Sequence, residues 1–249
     1  MASDLTRHTT SANDAPGGSP PATRASRDYV GFAASPLAAL REGRLTRRFT
    51  QLFLGLMAYG VSLALVIESG LGVAPWDVLH QGLADRTPLS IGTIVIIVSF
   101  VVLLAWIPLR QWPGIGTVSN AIVIGLAADL GLWLLSTPTS WWVRTGFLVL
   151  GVVINSAATA AYIGARFGPG PRDGLMTGLV LRTGGSVRLI RTAIEVAVVA
   201  LGWSLGGTVG LGTVVYALGT GPLTQLFLPW LAVRPPAAKE SKTTLGSHE

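Results

Sequence analysis

Residues 70–87 read GLGVAPWDVLHQGLADRT, and residues 165–183 read ARFGPGPRDGLMTGLVLRT. Shifted by ninety-six positions without a gap, Gly72, Pro75, Asp77, Leu79, Gly82, Leu83, Arg86, Thr87 and Ser90 fall on Gly168, Pro171, Asp173, Leu175, Gly178, Leu179, Arg182, Thr183 and Ser186. The same offset carries GIGTV (114–118) onto GLGTV (210–214), and Gly125 onto Gly221. An offset held over so long a stretch marks an internal duplication, so the fold is expected to be two copies of one unit.

Composition says what kind of unit. Half of the 249 residues are hydrophobic, only 12% are charged, and the mean hydropathy is +0.56. Soluble domains carry about 25% charge, so the expectation is an all-α polytopic membrane protein. With no cysteine, disulfides, thiolate metal sites and Cys nucleophiles are excluded. The excess of basic residues, 18 against 12 acids, lies mostly beside apolar runs, where it speaks to membrane orientation rather than to nucleic acid.

Six apolar spans are read along the chain: Phe49–Ile67, Ile91–Leu109, Ile115–Leu135, Trp142–Ile163, Val187–Trp203 and Val209–Leu231. The first holds 19 uncharged residues, enough for a hydrocarbon layer of about 30 Å at about 1.5 Å per residue. The fifth is the least regular, because Arg188, Arg191 and Glu195 interrupt it. Residues 1–45, rich in Ser, Ala, Pro and Gly and without the apolar stretch of a secretory signal, read as a disordered cytoplasmic arm; 232–249 read as a disordered tail. Between them lie a first repeat (46–135) and a second (136–231), each expected to be span, short helix, span, span.

Three spans per copy should turn the second copy over relative to the first, and charge tests this. Arg41, Arg44, Arg47 and Arg48 before the first span place the N-terminus in the cytoplasm. The loop 68–90 then faces outward with Glu68, Asp77 and Asp85 against Arg86, while 164–186 faces inward with Arg166, Arg172 and Arg182 against Asp173. Arg110 and the tail's Arg234, Lys239 and Lys242 fall inside as well. The expectation is an inverted-topology repeat in the cell membrane with both termini in the cytoplasm.

Pro75 and Pro171 each follow glycines and precede an Asp by two residues, which suits the first turn of a helix. Short helices are therefore expected over 75–85 and 171–181, each about 16 Å long, roughly half a bilayer. Interrupted half-length helices at corresponding positions of two repeats point to a binding site at membrane depth. Asp77, Asp173, Trp76, Arg172 and Asn120 are the candidate substrate-binding residues. Helix-start chemistry alone also accounts for the two aspartates, and Trp76 with Trp141 and Trp142 also suits the membrane interface. Glu195, with Arg191 one turn earlier, and Asp129 are intramembrane ionisable groups and candidates for ion or proton coupling, unless Arg191 and Glu195 only satisfy one another. Asn155 suits an interhelical hydrogen bond, and His80 reads as a solvated surface histidine. No metal cluster, cofactor motif or nucleophile–base set is visible, so neither an enzyme nor a cofactor is expected.

PWDVLHQGL (75–83), RQWPGIGTV (110–118), GPRDGLM (170–176) and VGLGTVV (209–215) resemble the bacterial YczE-like integral membrane proteins, relatives of the YitT-like group. The resemblance covers about 46–231 and implies a multi-span cytoplasmic-membrane protein; it carries over no ligand residues. Two functions compete on the sequence. One is a transporter of a small polar substrate or ion in which one repeat rocks against the other. The other is an accessory membrane protein, whose basic face at Arg166, Arg172, Arg182 and Arg188 binds anionic lipid or a protein partner. A homo-oligomer is compatible with both.

Overall fold

The structure, a computed structural model, describes residues 43–233; nearly all of the predicted arm and tail lies outside the described residues. Eight helices follow: α1 (Leu45–Ser69), α2 (Pro75–Ala84), α3 (Ile91–Leu109), α4 (Ile115–Leu134), α5 (Trp141–Gly164), α6 (Pro171–Thr183), α7 (Val187–Ser204) and α8 (Leu211–Leu231). No strand occurs among the described residues. Five helices, α1, α3, α4, α5 and α8, are long and apolar enough to cross a bilayer. The expected fifth span, α7, is a helix of 18 residues but is not one of the five, since it carries Arg188, Arg191 and Glu195. The protein is an all-helical membrane protein, with exposed apolar side chains such as Leu104, Ile107, Leu126 and Leu218 ready to face lipid. Exposed Trp112, Trp133, Trp142, Trp203 and Trp230 mark the helix ends, where indole rings favour the membrane interface.

The short helices form where proline chemistry places them. Pro75 and Pro171 open α2 and α6, which have 10 and 13 residues; proline gives up no hydrogen bond at a first helical position. Gly184 in the left-handed region ends α6. Ser90 starts α3, its hydroxyl accepting from the Thr93 N–H at 3.1 Å.

At the centre, α1 and α5 pack antiparallel, and α4 and α8 flank them, on α1 and α5 respectively. Gly55 of α1 lies against Ala158 and Ala161 of α5, and Gly151 of α5 lies against Ser62 and Val66 of α1. Small residues of this kind let membrane helices approach closely. Arg48, at the start of α1, donates Nε to the Ala165 carbonyl (2.8 Å) and Nη2 to the Arg166 carbonyl (2.9 Å) beyond the end of α5. Arg144, at the start of α5, donates the same two nitrogens to the carbonyls of Ser69 and Gly70 beyond the end of α1, both at 2.7 Å. Each central helix thus supplies a cation to the orphan carbonyls at the end of the other. All three residues of one clasp lie ninety-six positions from their counterparts in the other.

The segments that lead into the short helices are held in the same paired way. The Gly212 N–H donates to the Leu71 carbonyl (2.7 Å), and the Gly116 N–H donates to the Phe167 carbonyl (3.0 Å). These contacts are the work of the GIGTV and GLGTV stretches, where Thr117 and Thr213 hydroxyls also accept from the N–H groups of Gly114 (3.1 Å) and Gly210 (3.2 Å). Gly72 and Gly168 have φ of 108° and 112°, a region glycine alone enters readily. A methyl group at Gly72 would also come within 2.6 Å of the Gly210 nitrogen.

A buried polar cluster at the start of the two short helices

Side chains of α2 and α6 meet near the starts of the two helices. The Asp77 carboxylate on α2 lies 3.0 Å from Nδ1 of His80, one turn on, and 3.9 Å from Nη2 of Arg172 on α6. Arg172 Nη2 is in turn 3.4 Å from His80 Nε2. One protonation pattern satisfies both imidazole contacts: a neutral ring that donates Nδ1–H to Asp77 and accepts from Arg172 at Nε2. The Arg172 guanidinium stacks over Trp76, 5.0 Å from the ring centroid. Trp76 and Arg172 are counterparts under the ninety-six-residue offset, so here the two halves touch through equivalent positions.

Asp173 is used differently from its counterpart Asp77. Its carboxylate accepts from the Tyr162 hydroxyl and from the Gly170 N–H at the start of its own helix. The latter contact is the acid half of a capping box. Asp77 instead gives its carboxylate to His80 and Arg172. The Arg191 guanidinium on α7 is close enough to act electrostatically on Asp173, and it also binds Glu195 at 2.9 Å. Asn155 of α5 joins α1 and α8: it donates to the Ser62 hydroxyl (3.0 Å) and accepts from the Tyr216 hydroxyl (2.6 Å). Tyr59 stands beside Tyr162, with ring centroids 6.5 Å apart. Asn120 is buried against Gly170.

Of the residues singled out by sequence, Trp76, Asp77, Arg172, Asp173 and Asn120 therefore converge at the start of the short helices, with Arg191 and Glu195 at their flank. Asp129 lies elsewhere: it accepts from the Gly92 N–H (2.7 Å) and the Ser90 hydroxyl (2.6 Å), fastening α4 to the start of α3. The sequence reading of His80 is corrected. The side chain is fully buried inside the cluster rather than solvated, and its position one helical turn after Asp77 was the available signal. Tyr59, Tyr162 and Tyr216 were not anticipated, because a tyrosine inside an apolar span reads as packing.

The cluster combines two carboxylates, one guanidinium, an imidazole and several hydroxyls, with two helix N-termini each adding about half a positive charge. It offers donors and acceptors for a small polar solute. No group of three or more metal-ligating side chains occurs among the described residues.

The two halves differ in one respect. α3 packs against α4, whereas the corresponding α7 and α8 are not packed on one another. A methyl group at Gly125 would collide with the Gly92 carbonyl; one at its counterpart Gly221 would meet nothing within 4 Å. The residues at the positions of Ser90, Gly92 and Asp129 are Ser186, Arg188 and Gln225.

Residues 46–229 match a family described as "Family of unknown function (DUF6198)". The chain belongs to this family. It is 40% identical over 184 residues to an "Uncharacterized protein" of Haemophilus influenzae, covering 74% of this chain and 84% of that one. It is 33% identical over 190 residues to "Uncharacterized membrane protein YczE" of Bacillus subtilis, covering 74% and 87%, so the YczE-like resemblance holds. A third relative, "Uncharacterized protein YyaS" of the same bacterium, is 26% identical over 182 residues. No solved structure matches.

Proposed function

We propose that the protein is a transporter of a small polar solute or ion, not an enzyme, working by alternating access between two inverted repeats of the cell membrane. In this reading α7 completes a sixth crossing and both termini face the cytoplasm. The observation that carries the reading is the meeting of the two short helices at Asp77, His80 and Arg172, in a buried polar cluster flanked by the central α1–α5 pair. A polar, charged cluster is expensive inside a bilayer and is expected where a solute passes.

The difference between the halves supports the same reading. Two inverted copies in unlike packing are what alternating access requires, one gate shut while its counterpart is open. By the charge bias of the loops, Ser90, Gly92 and Asp129 shut the outer side, and the gap between α7 and α8 opens the site inward. In the opposite state Arg188 and Ser186 would close on Gln225 and Gly221. Substrate contacts fall to Asp77, Arg172 and Trp76; Asp173 anchors α6; His80, between a carboxylate and a guanidinium, is placed to exchange a proton.

The natural chain lacks cysteine, so single-cysteine labelling tests the inversion directly. Thr87→Cys and Thr183→Cys occupy matching positions and should react with a membrane-impermeant maleimide from opposite faces of oriented vesicles. Labelling from one face would refute it. In proteoliposomes on a solid-supported membrane, a panel of amino acids, amines, carboxylates and inorganic ions should include one that gives a current abolished by Arg172→Gln. Currents indifferent to Arg172→Gln and Asp77→Asn, or none above empty liposomes, would defeat the transport reading.

A further inference from the structure

Outside the polar cluster, α1 and α5 enclose an open groove of about 610 Å³. Its walls are small and apolar, among them Gly55, Ala58, Ala157 and Ala161, and Gln51 closes one end by donating to the carbonyls of Ala161 (2.9 Å) and Leu231 (2.7 Å). Arg47 and Thr50 stand at that same end, and Arg47 is the one charged residue in the lining. Arg47 is exposed and has no ion pair among the described residues. From Arg47 to Ala58 the groove follows twelve residues of α1, a rise of about 16 Å, close to one leaflet of an about 30 Å hydrocarbon layer.

We infer that this groove holds one anionic phospholipid, its phosphate at Arg47 and Thr50 and one acyl chain along the Gly/Ala walls. Three features select that occupant. The lining is apolar over a leaflet's depth, which suits an acyl chain. Its single charge is positive and sits at the end where a headgroup lies, and no acid competes for it. A second copy of this chain is disfavoured, because a two-fold axis along the membrane normal would bring Arg47 to the same depth as its own copy, like charge facing like. The site is independent of whether the protein transports.

Native mass spectrometry in mild detergent tests this, with phosphatidylglycerol and phosphatidylcholine of identical chains titrated in turn. One phosphatidylglycerol should remain bound in preference to phosphatidylcholine. Arg47→Gln should reduce that preference about five-fold, the ~1 kcal/mol of one basic residue at an anionic surface. Ala157→Phe, or Ala58→Phe should the first not fold, fills the groove and should remove the adduct of either lipid. Arg110→Gln, an exposed arginine away from the groove, should change nothing. The inference is overturned by an Arg47→Gln preference equal to that of the natural chain, or by an equal loss in Arg110→Gln. It is also overturned by a dimer that Ala157→Phe dissociates, or by a bound lipid that appears only after residues 1–42 are removed, which would give the groove to the chain's own arm.

Discussion

On the alternating-access reading, removing the Asp129 carboxylate should open the side of the molecule that this reading takes as shut. In the structure this carboxylate fastens α4 to the first turn of α3 through the Gly92 N–H at 2.7 Å and the Ser90 hydroxyl at 2.6 Å. A hydrogen bond to a charged group contributes about 1.5–3 kcal/mol. Ser90 is exposed and Asp129 only half-buried, so water replaces much of both contacts. Ser90 also keeps its bond to the Thr93 N–H. After those offsets Asp129→Ala should shift the closed–open balance by about 1.4 kcal/mol, or about tenfold. Ile96 is the reporter, because its side chain covers Gly125 in the closed packing. With Ile96→Cys as the only thiol, a charged methanethiosulfonate applied to intact cells should react about ten times faster when Asp129→Ala is added. Gln225→Ala, at the counterpart position on the unpacked side, should leave that rate unchanged. If Asp129→Ala lowers thermal stability but leaves the Ile96→Cys rate unaltered, Asp129 is a structural brace and not a gate.

Three further outcomes concern the frame around the site. Arg48→Ala should destabilise the protein more than Arg144→Ala, by about 1–2 kcal/mol in unfolding from micelles: both lose two carbonyl partners, but Arg48 is also buried and stacked on Phe167 at 4.4 Å. Gly72→Ala combines a strained backbone, costing about 1–3 kcal/mol, with a collision at Gly210. It should abolish the folded peak in size-exclusion chromatography, while Gly146→Ala, which meets no atom within 4 Å, should be silent. Tyr216→Phe should cost about 1 kcal/mol through the lost bond to Asn155, and an unchanged melting temperature would mean that water takes its place.

What the sequence made legible was the repeated part of the structure, because repetition carries its own evidence. Pro75 and Pro171 fixed the starts of α2 and α6 through their missing N–H, and the structure places both helices within two residues of the expected ends. The convergence of Asp77 and Arg172 was only half legible. The sequence nominated both side chains but had no means of showing that they meet across two halves. GIGTV and GLGTV were visible as repeated words without a meaning. Their glycines bring α4 and α8 against the segments entering the opposite short helix, a long-range contact that no local pattern encodes. The paired clasps of Arg48 and Arg144 escaped for a related reason, since an arginine at the edge of an apolar span reads first as an orientation signal.

The unlike packing of the halves was the least legible feature, yet three substitutions in the repeat explain it physically. Gly92 lets α3 lie directly on Gly125, and its counterpart is Arg188, whose long charged side chain disfavours an equally close approach to Gly221. Asp129 accepts from the Gly92 N–H and the Ser90 hydroxyl at the start of α3, and its counterpart Gln225 lacks the charge that a helix N-terminus favours. Ser99, buried in α3, is matched by Glu195, which with Arg191 keeps α7 polar on the side toward Asp173. All three changes weaken the α7–α8 contact relative to α3–α4. They favour the packing seen in the structure without forbidding its reverse. Restoring the first-half residues in the second half, as Arg188→Gly with Gln225→Asp, should therefore draw α7 onto α8. A cysteine at Thr192, the counterpart of Ile96, should then become about tenfold less reactive from the face that the proposed topology makes cytoplasmic, two recovered contacts being of the size worked out for Asp129. Unchanged reactivity at Thr192→Cys would show that the gap is set by something other than these positions.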